Sequence, residues 1–252
     1  MLCGFRAALY KYASVLCLSP GSNPPLSSSR LHAQISPRVI VCPTQAPLKH
    51  YSYKPEQVDR VNPRRETLPL AIHPPKSSEW SARFALLEAD IRAALGPLAL
   101  AVSHVGSTAV PDLPAKDIID IDLTVPDVTD EAAYVPALEA RGGFHFRNRE
   151  PAWHGHRFFV RYSENWCNLH VWGPGCAEAT RHLLMRDWLR EHEEDREAYA
   201  RVKREAAAAS NAVGETVMDY NGRKEGWIRD FLRRIFIAKG YMTEDGQPIH
   251  RD

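Results

Sequence analysis

Two carboxylates on one face of a short strand constrain this chain more than any other feature of its sequence. The stretch HVGSTAVPDLPAKDIIDIDLTV, residues 104–125, ends in a run that predicts a β-strand. Successive side chains of a strand point to opposite faces, so Asp120 and Asp122 share one face and the isoleucines share the other. Like charges this close repel each other and raise each other's pKa when water is excluded. The fold must therefore supply groups that compensate both negative charges.

A divalent cation is the compensation that this pattern favours. Mg²⁺ binds through one or two carboxylates together with substrate phosphates and water, and Asp120 and Asp122 supply the protein's share. The Gly106-Ser107 turn before the strand offers close backbone approach and N–H donors to a phosphate group. An edge strand with a solvated polar face explains the same residues, and the pattern alone leaves both interpretations open.

The composition is typical of a soluble globular protein. The 252 residues carry a net charge of +1, which predicts no strong attraction to nucleic acid or to a membrane surface. No apolar run approaches the roughly 18 residues of a membrane span. The 5 cysteines form no CxxC pair, and this favours an intracellular, reduced protein.

The charge is distributed unevenly along the chain. Residues 1–50 contain no Asp or Glu, but they carry Arg, Lys and many Ser, which is typical of an organelle transit peptide. A mitochondrial presequence, a disordered leader and a wrongly assigned start of translation all fit this stretch. We expect a linker over 51–76, a folded domain over 77–239 and a polar tail over 240–252.

Helices and strands alternate in the predicted folded domain. Apolar residues recur at helical spacing from residue 77 and predict a helix that ends at Gly96-Pro97. An apolar strand over 98–105 precedes the carboxylate-bearing strand. HRFFVRY (156–162) and WCNLHVW (166–172) predict a hairpin around a turn at 163–165. Further helices are expected near 130–141, 177–191, 193–209 and 213–238, and a short strand near 144–146.

Two of these later elements carry polar residues in apolar surroundings. Asn168 and His170 share a face of the second hairpin strand, opposite its core side. Lys224 interrupts the apolar stripe of the last helix. This fits either a side chain that points into a cleft or one that extends to solvent at the edge of the stripe.

The opening motif resembles the signature of the GrpB family. That signature reads H-[IV]-G-S-T-[SA]-[VI]-P-G-L-x-A-K-x-[IV]-I-D-I, and the sequence matches it except at Asp112, where the family commonly has Gly. The resemblance covers about residues 73–238. Its further matches are Arg157-Phe158-Phe159, Asn168-Leu169-His170-Val171, Arg186-Asp187-Trp188-Leu189-Arg190, Tyr199, Lys203, Tyr220 and Lys224.

The resemblance implies membership of the nucleotidyltransferase superfamily. The expected fold is α/β (α+β), a nucleotidyltransferase-like mixed sheet flanked by helices with a C-terminal helical part. The resemblance implies that Gly106 and Ser107 form a turn that binds phosphate, and that Asp120 and Asp122 bind the metal ion. His170 stands near the place of a third carboxylate, and as a neutral imidazole it suits Mn²⁺ or Zn²⁺ better than Mg²⁺.

The resemblance also implies a set of functional residues. The expected metal ligands are Asp120, Asp122 and His170, and the expected catalytic residues are Asp120, Asp122 and Ser107. The residues expected to bind the nucleotide are Gly106, Ser107, Thr108, Lys116, Arg157, Arg186, Lys203 and Lys224.

The function implied is metal-dependent transfer of a nucleotidyl group from a nucleoside triphosphate to an unknown acceptor, with Mg²⁺ or Mn²⁺. Two alternatives stay open. The chain is either a nucleotide-binding module without turnover, or a partner domain of a coenzyme A-pathway enzyme, since similar domains are joined to dephospho-coenzyme A kinases. The sequence has no GxxxxGK[ST] motif, so it predicts no kinase activity of its own.

Overall fold

A mixed sheet with helices on both faces forms the part of the chain that the computed structural model describes, residues 54–62, 70–162 and 166–249. The predicted leader (1–50) and the predicted hairpin turn (163–165) lie outside the described residues.

Six strands of the described residues form one sheet. They are β1 (Asp59–Arg60), β2 (Ala101–Val105), β3 (Ile119–Thr124), β4 (His145–Glu150), β5 (His156–Arg161) and β6 (Cys167–Trp172). Their order across the sheet is β1-β4-β5-β6-β3-β2. β3 and β6 are parallel, and the other neighbouring pairs are antiparallel. The predicted mixed sheet is confirmed.

One face of the sheet carries the main core. The helices are α1 (Ser77–Leu95), α2 (Glu131–Ala140), α3 (Ala177–Glu191), α4 (Glu193–Ala212) and α5 (Val217–Ala238). Trp80, Leu87 and Ile91 of α1 are fully buried against the apolar residues of β3, and α2 packs beside them. Burying a Leu or Ile side chain in this way stabilises the fold by about 1.5–3 kcal/mol.

The C-terminal helices form a second apolar cluster. Leu184, Tyr199 and Phe231 come from α3, α4 and α5, and they pack with Val110 and Leu113 from the loop that precedes β3. This contact fastens the loop of the opening motif to the helices. In the described part of the chain, every helix is too short or too polar to span a bilayer.

The folded part extends beyond the predicted boundaries at 77 and 239. In the predicted linker, β1 pairs with β4, and Leu70 is buried against α4 and α5 residues. In the predicted tail, a bridge between Met242 and Pro248 closes a turn that packs on the second cluster. These segments are too short to show periodicity, so the sequence gives no sign that they join distant elements.

Candidate functional site

The register between β3 and β6 lays out a polar face on the sheet. Asp120 is paired with Asn168, and Asp122 is paired with His170, so four polar side chains lie side by side. β5 adds Phe158 next to His170. This face lies opposite the main core, because the residues that alternate with the two carboxylates, Ile119, Ile121 and Leu123, are buried in that core.

A histidine from α3 compensates the charge of Asp122. Nδ1 of His182 lies 2.9 Å from Oδ2 and 3.1 Å from Oδ1 of Asp122, and Trp172 Nε1 donates to Oδ1 at 2.9 Å. Burial favours the neutral acid, but the charge and hydrogen bond of His182 hold the pKa of Asp122 below its ordinary value. Burial opposes protonation of His182, yet the Asp122 carboxylate raises its pKa to about 9. The pair is therefore a buried carboxylate–imidazolium contact.

Asp120 lies against the Gly106 turn. Asn168 Nδ2 donates to Oδ1 of Asp120 at 2.8 Å. Burial raises the pKa of Asp120, although the Asn168 hydrogen bond and the charge of Lys116 act in the opposite direction. A Cβ at Gly106 would lie 2.5 Å from Asp120 Oδ2, and φ there is +68°. Gly is needed here both for the backbone angle and for the close approach of the carboxylate.

Three lysines converge on Asp120, and we call Lys116, Lys203 and Lys224 the lysine cluster. The charge of Asp120 favours a higher pKa for Lys203 on α4 and for Lys224 on α5, and the charge of Lys116 favours a lower pKa for Asp120. Nζ of Lys224 lies 4.0 Å and Nζ of Lys116 lies 5.4 Å from the centroid of the Tyr220 ring. The cluster places three groups that can each carry a positive charge around a single carboxylate.

The two helical lysines of the cluster are strongly desolvated. Lys203 is 2% exposed and donates to the carbonyl oxygen of Pro114, and Lys224 is 8% exposed. Burial, reinforced by neighbouring positive charge, lowers the pKa of Lys203 and lowers that of Lys224 to about 7. An anion bound here would remove that repulsion and restore the charged forms.

Ser107 borders the lysine cluster. It opens the short 3₁₀ turn Ser107–Ala109 and lies beside the Tyr199 phenol of α4. Gly106 is exposed, and Ser107, Lys116 and Asp120 are half-buried. The cluster is therefore reachable from solvent along the turn of the opening motif.

Arg157, predicted to bind the nucleotide, lies on the other face of the sheet. Its guanidinium donates to Glu131 Oε1 at 2.9 Å and to the carbonyl of Gly155 at 2.6 Å. Alternation along β5 turns Arg157 towards the start of α2, whereas the next residue, Phe158, faces His170. Arg157 thus fixes α2 and is separated from the lysine cluster by the sheet.

Arg186 and Thr108 make hydrogen bonds that stabilise the elements around the site. Arg186 donates to Asp187 at 2.6 Å and to the carbonyl of His104 at 3.0 Å, which joins α3 to β2. Thr108 Oγ1 lies 3.0 Å from Nε2 of His104 and donates to the carbonyl of Ile118. Both side chains hold the motif loop in place, and their contact with a nucleotide stays a prediction.

A metal centre built from Asp120, Asp122 and His170 does not fit this geometry. Both oxygens of Asp122 lie at hydrogen-bond distance from His182, and Nδ1 of His170 lies 3.0 Å from Nε2 of His156. Among the described residues, no group of three or more His, Cys, Asp or Glu side chains is placed to hold a metal ion. Of the three predicted ligands, Asp120 alone suits a cation that is bound mainly by substrate phosphates.

Sequence reasoning missed three residues of the polar face. His182 reaches Asp122 from α3, and Glu150 Oε2 lies 3.0 Å from Nδ1 of His156, the imidazole that contacts His170. The histidines between 154 and 170 were the available signal. No local pattern could pair them with Glu150 or with α3, because these contacts depend on the sheet register.

Fold and site together define a mixed α/β domain whose carboxylate-bearing strand lies beside a buried lysine cluster. The GrpB protein family matches residues 69–234. The chain belongs to the GrpB family.

Relatives from several bacteria agree with this assignment. A UPF0157 protein of Halalkalibacterium halodurans is 41% identical over 177 residues, which cover 70% of this chain and 87% of that protein. A dephospho-CoA kinase of Mycolicibacterium paratuberculosis is 34% identical over 192 residues, which cover 67% of this chain and 46% of that protein. The crystal structure of conserved protein GrpB from Enterococcus faecalis shares the fold, with a TM-score of 0.55 and 23% identity over 73% of this chain and 99% of that one.

Proposed function

We propose that this protein binds the phosphate chain of a nucleoside triphosphate at the lysine cluster and transfers the nucleotidyl group to an acceptor. The observation that carries the proposal is the convergence of Lys116, Lys203 and Lys224 on the single carboxylate of Asp120. Burial disfavours the charged forms of Lys203 and Lys224, and a bound polyphosphate would favour those forms again.

The Gly106-Ser107 turn complements the cluster chemically. Backbone N–H groups of such turns favour negative charge, and Ser107 adds a hydroxyl that can donate to a phosphate oxygen. Lysine binds phosphate as a point charge, so three lysines suit a flexible chain of phosphates better than one planar carboxylate.

The proposed reaction needs charge stabilisation more than covalent chemistry from the protein. An acceptor oxygen forms a bond to the α-phosphorus, the bond from the α-phosphorus to the bridging oxygen breaks, and pyrophosphate leaves. The lysine cluster would neutralise the charge that grows on the leaving pyrophosphate, and Ser107 would orient it. Mg²⁺ or Mn²⁺ stays a prediction: it would be held by Asp120 and the phosphates and would supply further charge neutralisation.

Pyrophosphate release tests the proposed function. The purified protein is incubated with each of the four ribonucleoside triphosphates, Mg²⁺ or Mn²⁺ and a broad set of acceptors. We expect release that falls about 100-fold or more in Asp120→Asn, the scale on which a preorganised charged group contributes. Asp230→Asn, an exposed change on α5, is the matched control and should keep the wild-type rate. Release no higher than that of Asp120→Asn would contradict the proposal.

The kinase relatives favour a second candidate function. The chain aligns with about half of a dephospho-CoA kinase, so a GrpB-like domain accompanies coenzyme A chemistry in that protein. A nucleotide-binding partner domain would keep the lysine cluster and bind triphosphates without releasing pyrophosphate. Binding without release in the same assay would favour this candidate.

A further inference from the structure

We propose that Glu150, His156 and His170 form a proton relay that leaves His170 Nε2 as the group that takes the proton from an acceptor hydroxyl. This inference rests on the proposed function, because it assigns the acceptor side of that reaction. It also predicts the class of acceptor, one whose attacking oxygen carries a proton.

The relay is a continuous line of hydrogen bonds through the polar face. Glu150 Oε2 lies 3.0 Å from Nδ1 of His156, and Nε2 of His156 lies 3.0 Å from Nδ1 of His170. Glu150 is 6% exposed and His156 is 2% exposed, so water does not compete for these bonds. His170 is half-buried and is the most exposed of the three residues.

The carboxylate fixes the tautomer of both imidazoles. An ionised Glu150 only accepts hydrogen bonds, so Nδ1 of His156 must carry the proton and Nε2 must accept. Nε2 of His156 then accepts from Nδ1–H of His170, which leaves Nε2 of His170 with a free lone pair. Because the two ring nitrogens point in different directions, Nε2 is turned away from His156.

The line ends beside the proposed phosphate site. His170 is paired with Asp122 on β3, one same-face position along the strand from Asp120, which is about 7 Å. An acceptor that attacks a phosphate chain held at the lysine cluster would approach along this polar face. His170 Nε2 would therefore meet the hydroxyl that has to lose its proton.

The proton movement balances along the line. As the acceptor oxygen bonds to phosphorus, its proton passes to His170 Nε2, the Nδ1 proton of His170 passes to His156, and the Nδ1 proton of His156 passes to Glu150. Glu150 becomes a neutral acid, and the same transfers in reverse then return the proton through His170 Nε2 to the departing pyrophosphate. Burial lowers the pKa of His156 and of His170 to about 3 and raises that of Glu150 to about 7. The proton is therefore more stable on Glu150 than on either imidazole.

Charged groups on three elements act on the imidazoles of the relay. Asp122 on β3 raises the pKa of both, and His182 on α3 lowers it. Arg157, the neighbour of His156 on β5, lowers the pKa of His156. Aromatic rings also contact the imidazoles: the centroid of Trp172 lies 4.2 Å from that of His156, and the centroid of Phe158 lies 5.2 Å from that of His170.

Imidazole ¹⁵N NMR of the whole protein tests the relay without a substrate. Above the pKa of Glu150, at about 7, we expect Nε2 of His170 to be unprotonated and Nδ1 to carry the proton. Below that pH, Glu150 holds a proton and becomes the donor, so the line reverses and Nε2 of His170 becomes protonated. In Glu150→Gln the carboxyl group that titrates is removed, so this change with pH should be absent. Comparison with His170→Gln assigns the ¹⁵N signal to His170.

Glu194→Gln, at an exposed position of α4, is the matched control and should keep the pH-dependent change. Nε2 of His170 protonated at every pH, or a tautomer that does not respond to pH in the wild type, would overturn the relay. The wild-type titration gives this answer even if Glu150→Gln does not fold. The result is independent of pyrophosphate release, so failure of the relay and failure of the proposed function are distinguishable.

Discussion

His182 of α3 lies within hydrogen-bond distance of both carboxylate oxygens of Asp122, at 2.9 and 3.1 Å. An imidazolium thus stands where the sequence predicts a divalent cation. The imidazolium compensates the charge of Asp122, and the lysine cluster provides the positive groups near Asp120. The two sites differ, because His182 keeps its charge beside Asp122, whereas burial lowers the pKa of Lys203 and of Lys224 and so disfavours their charged forms.

Replacing His182 by Gln should destabilise the fold in a pH-dependent way. Asp122 would lose its charged partner while it stays buried, at a cost on the order of 2 kcal/mol near pH 6.5. The pKa of His182 is raised to about 9 in the folded state, so its stabilisation is complete below about 6.5 and is lost as the pH rises through 9. Denaturant unfolding between pH 6 and 10 measures the gap between the two proteins.

The exposed His145 provides the control for that experiment, and His145→Gln should leave the free energy of unfolding close to the wild-type value. A gap between wild type and His182→Gln that stays constant from pH 6 to 10 would show that the imidazolium contact is absent.

Gly106→Ala should disturb Asp120 as well as the backbone. The new Cβ would lie 2.5 Å from Asp120 Oδ2 at a φ of +68°. Gly175 has a φ of +70° and no atom within 4 Å of a built Cβ, so Gly175→Ala measures the cost of a positive φ without a steric clash, about 1 kcal/mol. We expect Gly106→Ala to cost at least about 1 kcal/mol more, because the carboxylate must move. Equal losses in thermal unfolding would refute the close approach.

Lys224→Met should stabilise the protein. A buried lysine with a pKa near 7 disfavours folding at neutral pH, because the unfolded chain keeps the proton that the folded state releases. We expect the variant to be about 1 kcal/mol more stable at pH 7, and the difference should shrink as the pH rises towards 10.5, the ordinary pKa of a lysine side chain. A variant less stable than wild type at pH 7 would mean that Lys224 is paired in the free protein.

Local sequence patterns predict much of this fold because the patterns are strong there. The alternation in DIIDIDLTV predicts the two faces of β3. The helical spacing of apolar residues predicts the C-terminal helices close to their observed limits. The face of Arg157 could not be predicted, because β5 carries apolar residues on both sides and alternation alone does not say which side meets His170.

The charge partners of the site depend on long-range contacts. His182 lies 60 residues from Asp122 in the sequence, and β1 is too short at 2 residues to show any period. The sequence therefore predicts that the carboxylates need compensation, and only the assembled sheet and helices show which groups supply it.

Isothermal titration calorimetry with inorganic tripolyphosphate, pyrophosphate and phosphate at one ionic strength tests the central claim most directly. These probes need no knowledge of the base or of the acceptor. Affinity should rise with the number of phosphates and fall at least about 10-fold in Lys224→Met, the loss expected for one charge-assisted contact. Arg201→Met, an equal loss of charge at an exposed position of α4, should bind as the wild type does. Equal affinity for all three anions, or equal loss in both variants, would contradict the account.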